Sequence, residues 1–501
     1  MGGRTPEDQE ETQGNIGLGR TAHQTTCRRP AGRRQKLQIA EGVPADLIKI
    51  TLDHFFPDFP DRLLELPDPR RPDRIVYSKE HLFYLGLSMF LFHCGSRSQL
   101  ESERRTPAFL HNLLTLSGTG EEQTASVEAM NYLMENMPSG GGMEELPGQM
   151  TLRLINSRAL DKYRNSCGEF MIAVDAVHLF TRKGRWPCAV YKKLGGKTHS
   201  CYYALEAKLV ASDGFAFSLA TIFIETEEQY VKQDCELKAF YRLEEILKKR
   251  FPRLPMCLLM DGLYANKNVL DICEKNRWGH FITFKDGSIP NLYAAMLAKL
   301  DASPSASVDN RPEPGVLQHI SWALNLKHEG RSTHALFCRE TTIAADVIKV
   351  NNFVWLTDAR PDKHNAAALA EEARNRWIIE NQGFNVQKNE GYELEHNYGT
   401  VGFAMKNYYY LLQIAHMLHQ LMVKSDLFLK LQRKFIMLET QAWPEKTRTF
   451  LATIATTTLK HFRTVKNFVK RLSESFRNQI FSDLATNPET LGKIQIRFNS
   501  D

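Results

Sequence analysis

Two short apolar runs, each ended by an aspartate, do most to limit how this chain can fold. They are Glu169-Phe-Met-Ile-Ala-Val-Asp175 and Pro255-Met-Cys-Leu-Leu-Met-Asp261. Uninterrupted apolar runs this short fit strands covered on both faces, the usual situation of strands inside an α/β sheet. An acid placed where such a run gives way to small or polar residues stands at the carboxyl end of its strand. That is the edge where open α/β sheets present their chemistry.

A third carboxylate belongs to a helix. Asn365-Ala-Ala-Ala-Leu-Ala-Glu-Glu-Ala-Arg374 consists almost entirely of strong helix formers, which predicts a helix running to about Gly391, a glycine stop. Arg376 and Glu380 then lie one turn apart on one face. Alone, an Arg-x-x-x-Glu pair is an ordinary solvated ion pair, but Asp175 and Asp261 give it a second meaning. Two aspartates and a helix-borne glutamate can converge on divalent cations, and hard cations such as Mg²⁺ take oxygen ligands. Two ions about 3.5–4 Å apart can clamp the attacking and leaving oxygens of an in-line phosphoryl displacement. That is the chemistry of nucleases and strand transfer.

The order Asp175, Asp261, Glu380 is followed by Phe384, Lys388 and Gly391-Tyr392-Glu-Leu-Glu-His396. With its Glu inside Arg-x-x-x-Glu, this order resembles the DDE transposases of bacterial insertion sequences, and is most similar to the cut-and-paste group with a Tyr-x2-Arg-x3-Glu-x6-Lys signature. Further blocks resemble family landmarks: Ile224-Glu-Thr, Lys232-Gln-Asp-Cys-Glu236, Asp261-Gly-Leu-Tyr-Ala265, Phe284-Lys-Asp-Gly-Ser288 and Trp355-Leu-Thr-Asp358. Together they span roughly residues 166–400. Two signature positions differ. Ala373 stands in place of the Tyr and Gln387 in place of the Lys, with Lys388 one residue late. On a straight α-helix, position 387 falls about 20° from Glu380 and Lys388 about 80° away.

The resemblance implies a ribonuclease-H-like core in which Asp175, Asp261 and Glu380 are the catalytic residues and metal ligands, holding two Mg²⁺ or Mn²⁺ ions per active site. It implies that Arg376 and Lys388 grip phosphates near the scissile bond, with Tyr264, Asn381, Tyr392 and His396 as further DNA neighbours. The implied partner is double-stranded DNA, both the transposon's terminal inverted repeats and the target, bound by a homodimer. Two alternatives share these residues: a ribonuclease-H-like DNA nuclease that does not rejoin ends, and a transposase-derived DNA-binding protein without catalysis.

The expected fold class is α/β, and the element order supports it. After the Asp175 strand come two strand-like runs joined at Ser212-Asp-Gly214, a hairpin signal. A helix over about 233–250, the Asp261 strand, a helix after Ala265 and a strand over 280–285 follow. The expected organisation is a disordered basic arm (1–42), a helical DNA-recognition domain (43–165) and the first part of the core (166–290). A β-rich insertion (291–360), the core helix with Glu380 (361–400) and a helical basic C-terminal domain (401–501) complete it.

Some residues carry two readings. Asp234 rivals Asp261, but an acid opening a helix is explained by the helix dipole and free amides. His178 fits either the catalytic cleft or the core. Trp322, in an alternating run of the insertion, fits either a base-stacking role or the core. His416 and His419 are three apart but lack a third ligand nearby, which favours polar-face histidines over a metal site.

Charge bears on partners through its distribution. The net formal charge is only +6, whereas residues 401–501 contain 15 Lys and Arg against 7 Asp and Glu, an excess of 15 − 7 = 8. Part of that excess forms one face of an amphipathic helix at 460–476, and Arg28 to Lys36 is a second basic cluster. Nine cysteines without a C-x-x-C pair indicate neither a zinc ribbon nor a secreted disulfide framework. The longest apolar run, Leu82 to Cys94, is shorter than the roughly 20 residues that span a bilayer. With a polar N-terminus, the expectation is a cytoplasmic, DNA-associated protein without a membrane partner.

Overall fold

The computed structural model describes residues 43–226, 234–344, 347–425 and 427. The basic cluster at 28–36 and the amphipathic helix expected at 460–476 lie outside the described residues.

A helical layer comes first: α1 (Val43–Phe55), α2 (Phe59–Glu65), α3 (Lys79–Leu91), α4 (Arg97–Glu103), α5 (Pro107–Ser117), α6 (Val127–Asn136) and α7 (Leu146–Asn156). Helix α3 is apolar nearly all round and is buried from His81 to Leu91, as its sequence predicts. Ser78 caps it by accepting from the His81 amide at 3.2 Å.

The central sheet contains β1 (Phe170–Lys183), β2 (Val190–Leu194), β3 (Lys197–Val210), β4 (Ala216–Ile224), β5 (Met256–Met260), β6 (Gly279–Thr283), β7 (Ser307–Asn310), β8 (Val316–His328), β9 (Arg331–Ala344) and β10 (Val347–Thr357). Between and after these strands stand α8 (Glu236–Arg250), α9 (Lys267–Asn276), α10 (Pro290–Ala302), α11 (Ala366–Arg374), α12 (Asn385–Asn389) and α13 (Ala404–Lys424). The strand order is β2-β3-β1-β5-β6-β10-β9-β8-β7, with β4 also paired to β3. Strands β1, β5 and β6 run parallel, while β3, β4 and β10 are antiparallel to their neighbours. The expected hairpin turns at Gly214, whose φ of 82° suits glycine.

Helix α7 lies directly on β4. A Cβ added to Gly148 would stand 2.4 Å from the Leu219 carbonyl oxygen, so helix and strand approach too closely for any side chain there. Gly148→Ala is expected to lift α7 and cost about 1–3 kcal/mol. A urea-denaturation midpoint equal to that of the native protein would show that the contact relaxes freely.

Two sequence expectations change, and the core reading of Trp322 holds. Asp175 does not end its strand. Parallel pairing of β1 with β5 stops at Ala173, but antiparallel pairing with β3 continues to Lys183. The segment 291–360 begins on a helix, α10, and its strands extend the central sheet through the antiparallel β6–β10 pair. Trp322 is a core residue, 5% exposed on β8, and so offers no face to a base.

No helix among the described residues is long and apolar enough to cross a membrane. The eight described cysteines are free thiols.

Candidate active site

Asp175 reaches the site from β1 just beyond its last parallel pair, directly opposite Glu206 of β3. Asp261 follows β5 and caps a short 3₁₀ turn, its Oδ1 accepting from the Leu263 amide at 2.8 Å. Glu380 is solvent-exposed on a single π-helical turn, Ile379–Phe384. These three acids come from distant parts of the chain yet influence one another. Asp175 is pushed up to about 6, first by burial, against the pull of Arg376 and of the Ala176 amide, with repulsion from Asp261 and Glu380 adding to the rise.

Arg376 sits in the break between α11 and the π turn, its Nη1 3.3 Å from Asp175 Oδ2. The pair is largely withdrawn from water, at 14% and 23% side-chain exposure. Arg376 is therefore occupied by a carboxylate in this structure. Lys388 is engaged likewise, 3.0 Å from Glu395.

The π turn accounts for the late lysine. Such a turn takes one extra residue into the helix, so eight residues from Glu380 cover the arc that seven cover in an unbroken α-helix. Lys388 thereby falls where the straight-helix count places position 387. Gln387 itself turns inward, fully buried and bonded to Gln413 and His416 on α13, both at 2.9 Å.

Two of the expected DNA neighbours are withdrawn from solvent. Tyr264 is fully buried, and its hydroxyl donates to Glu236 Oε1 at 2.9 Å. Tyr392 is fully buried, with its hydroxyl 2.6 Å from His419 Nδ1. Neither ring faces a ligand, because α8 and α13 cover them. Asn381 and His396 are exposed. His178 lies between the readings made for it: partly buried, with Nε2 2.8 Å from Thr181 Oγ1 and its ring edge-on to Tyr203. Asp234 is structural, as its place before a helix predicts, pairing with Arg242 at 2.6 Å and accepting from the Glu225 amide at 3.1 Å. His416 and His419 are buried on α13, and burial depresses both.

Two features escaped the sequence reading. Glu236, the first residue of α8, is a fourth acid beside the site. Its carboxyl is raised by burial, against the Tyr264 hydrogen bond and with repulsion from Asp261 and Asp175. Its only sequence signal was its place in the Lys232-to-Glu236 block. The second is Trp377, 41% exposed next to Arg376, its ring edge-on to Phe353 at 5.6 Å. It offers an accessible aromatic face that Trp322 lacks.

Among the described residues, no three His, Cys, Asp or Glu side chains stand close enough together to hold a metal ion. No family model and no curated protein matches the chain. A solved structure of piggyBac transposase, a synaptic complex with hairpin DNA, aligns over 92% of this chain and 86% of that chain at 9% identity and a TM-score of 0.38. A likeness at that level carries no weight for either fold or function.

Proposed function

We propose that this chain is a DNA transposase with a ribonuclease-H-like core, cutting at transposon ends and joining them to target DNA. The observation that carries this reading is the placement of Asp175 on β1 just past its last parallel pair, Asp261 at the exit of the adjoining parallel strand β5, and Glu380 on a late helical segment whose Arg376 bonds to Asp175. The sheet order β4-β3-β1-β5-β6, with β3 alone antiparallel to the other four, supports the fold assignment.

Asp175, Asp261 and Glu380 would hold Mg²⁺ or Mn²⁺, two ions per site. The donor set suits these hard cations in type, being carboxylate oxygen throughout, and the mutual repulsion is what a cation would relieve. In spacing the three acids stand apart, and Arg376 partly neutralises Asp175. Bound there, the ions supply Lewis acidity to activate a water or a 3′-hydroxyl and to stabilise the leaving oxygen. The chain's own residues do the rest. Arg376 keeps Asp175 ionised against its burial, and Lys388 stands at the Glu380 edge for a backbone phosphate. Glu236 fixes Tyr264 behind Asp261. Terminal inverted repeats and target DNA would be bound by a dimer.

The separation of the three acids favours one second reading, a DNA-binding descendant of a transposase that no longer cuts. The deciding experiment incubates supercoiled plasmid carrying the element's ends with the native protein and with Asp175→Ala, Asp261→Ala and Glu380→Ala, in Mg²⁺ or Mn²⁺, with binding followed in parallel. The expected result is site-specific excision by the native protein, lost at least a thousandfold in each variant, with binding kept within a few-fold. Binding without cleavage by the native protein would leave the second reading standing. Indiscriminate nicking would make the protein a nuclease.

A further inference from the structure

Strand β1 continues past the site, and it carries charge of one sign there. Beyond Asp175 it runs on to Lys183, and its far end joins β2 and the first third of β3 in a three-stranded arm that neither β4 nor β5 accompanies. Residues 176–205 contain Arg182, Lys183, Arg185, Lys192, Lys193 and Lys197 without one Asp or Glu. Over the whole chain the two signs nearly balance, 64 to 58, so a one-signed stretch of this length is not the mixed surface that merely keeps a protein soluble.

The six cations are also free to act. All but Arg182 are exposed, and among the described residues no carboxylate ion-pairs with any of the six. Their partners are rings and hydroxyls instead. Arg182 lies 3.6 Å from the Trp186 ring and donates to Thr400 Oγ1 at 2.6 Å. Arg185 stands over Tyr191, and Lys192 donates to the Tyr203 hydroxyl at 2.6 Å. Contacts of this kind steer a cation without neutralising it. The arm ends in the turn Leu194-Gly-Gly-Lys197, with positive φ at both glycines, 56° and 75°. Such a two-residue turn gives a short, firm hairpin.

The arm also adjoins the candidate active site. His178, between Asp175 and the arm on β1, is depressed first by burial and then, against the pull of Glu395, by both Lys388 and Lys192. Lys192 reaches back from the arm to the Tyr203 hydroxyl, and the Tyr203 ring stands edge-on to His178, which joins the arm to the part of β1 that carries Asp175.

We propose that the β1–β2–β3 arm is a second contact for duplex DNA, gripping backbone phosphates on the DNA whose scissile bond lies at Asp175. From Asp175 to Arg182 is seven residues of strand, roughly 23 Å at about 3.3 Å each. At about 3.4 Å per base pair, the arm meets the duplex roughly seven base pairs from the cut. This inference rests on the DNA reading of the site, and the test separates the two.

The test is fluorescence-anisotropy binding of a 30-base-pair duplex of arbitrary sequence over a range of KCl concentrations. It compares the native chain with Lys192→Ala/Lys193→Ala/Lys197→Ala and with the corresponding triple Lys→Arg variant. If three phosphate contacts are lost, the slope of log K against log salt becomes shallower by about 2.7, at about 0.9 per contact, and affinity near 150 mM salt falls on the order of a hundredfold. The arginine variant keeps the charge and is expected to keep the native slope. A native slope in the alanine variant overturns the arm while leaving the transposase reading intact. Equal losses in both variants overturn it too, because shape rather than charge then decides. A native chain that binds no duplex at all overturns both.

Discussion

Asp175→Asn is expected to make the metal-free protein more stable at neutral pH while abolishing cleavage. A carboxyl whose folded value is raised binds its proton more tightly in the folded state than in the unfolded chain, so folding is penalised wherever the unfolded chain would be ionised. For Asp175 the values are about 6 folded against 3.8 for the unperturbed group. The penalty is absent below about pH 4, grows between the two values and is constant above them, at about 2–3 kcal/mol. That figure already includes the attraction of Arg376, so it is the net cost of keeping this acid charged in place. Asparagine retains an acceptor for the guanidinium and removes the charge. Urea denaturation in EDTA should show the variant ahead by this amount at pH 7 and by about a third of it at pH 4.5. A variant equal to or weaker than the native protein at pH 7 would mean that Asp175 is not held against its solvation, and the electrostatic case for a cation site would go with it.

What the sequence reveals of this site is local, and what it conceals is tertiary. The strand-like runs before Asp175 and Asp261 and the Asp-Gly hairpin at 212–214 are each set by a few adjacent residues, and the structure has them, though β1 continues past Asp175. The alternation of β8 to β10 was legible, but not that β10 would pair with β6, because nothing within a strand names its neighbour across seventy residues. The π turn was invisible for a similar reason. Its sequence, Ile379-Glu-Asn-Gln-Gly-Phe384, contains no local breaker other than Gly383, and nothing in those six residues marks a turn that takes one residue more. Tyr392 looked like a site residue by its place in a motif, and only the packing of α13 reveals it as core. The fourth acid, Glu236, is brought to the site by the start of α8 and the exit of β5 together, a juxtaposition that neither segment specifies alone.

The largest stability effect is expected behind the site, at Lys208. This lysine and Glu206 are both fully buried on β3, 3.3 Å apart, and Glu206 is the residue directly opposite Asp175. Ser218 donates to Glu206 at 2.8 Å and Thr221 donates to its other oxygen. Lys208 donates to Gln413 Oε1 at 2.5 Å, and the same oxygen accepts from Gln387, so one polar network ties β3 and α13 to the helix that follows the π turn. Burial depresses Lys208, and the attraction and hydrogen bond of Glu206 oppose that shift. Lys208→Met removes one member and strands the other, which costs about 3–5 kcal/mol. Glu206→Gln combined with Lys208→Met removes both charges, keeps acceptors for Ser218 and Thr221, and is expected to recover most of that loss. A double-mutant cycle by urea denaturation measures the difference, and a single-variant cost under about 1 kcal/mol would show that the pair is not buried as described. If the network also holds the turn that carries Glu380, the refolded double variant should bind duplex DNA with native affinity and cleave it more slowly. Native cleavage by that variant would confine the pair to stability and leave the aim of Glu380 to Phe384 and Val386, the apolar side chains that bury the same helical segment.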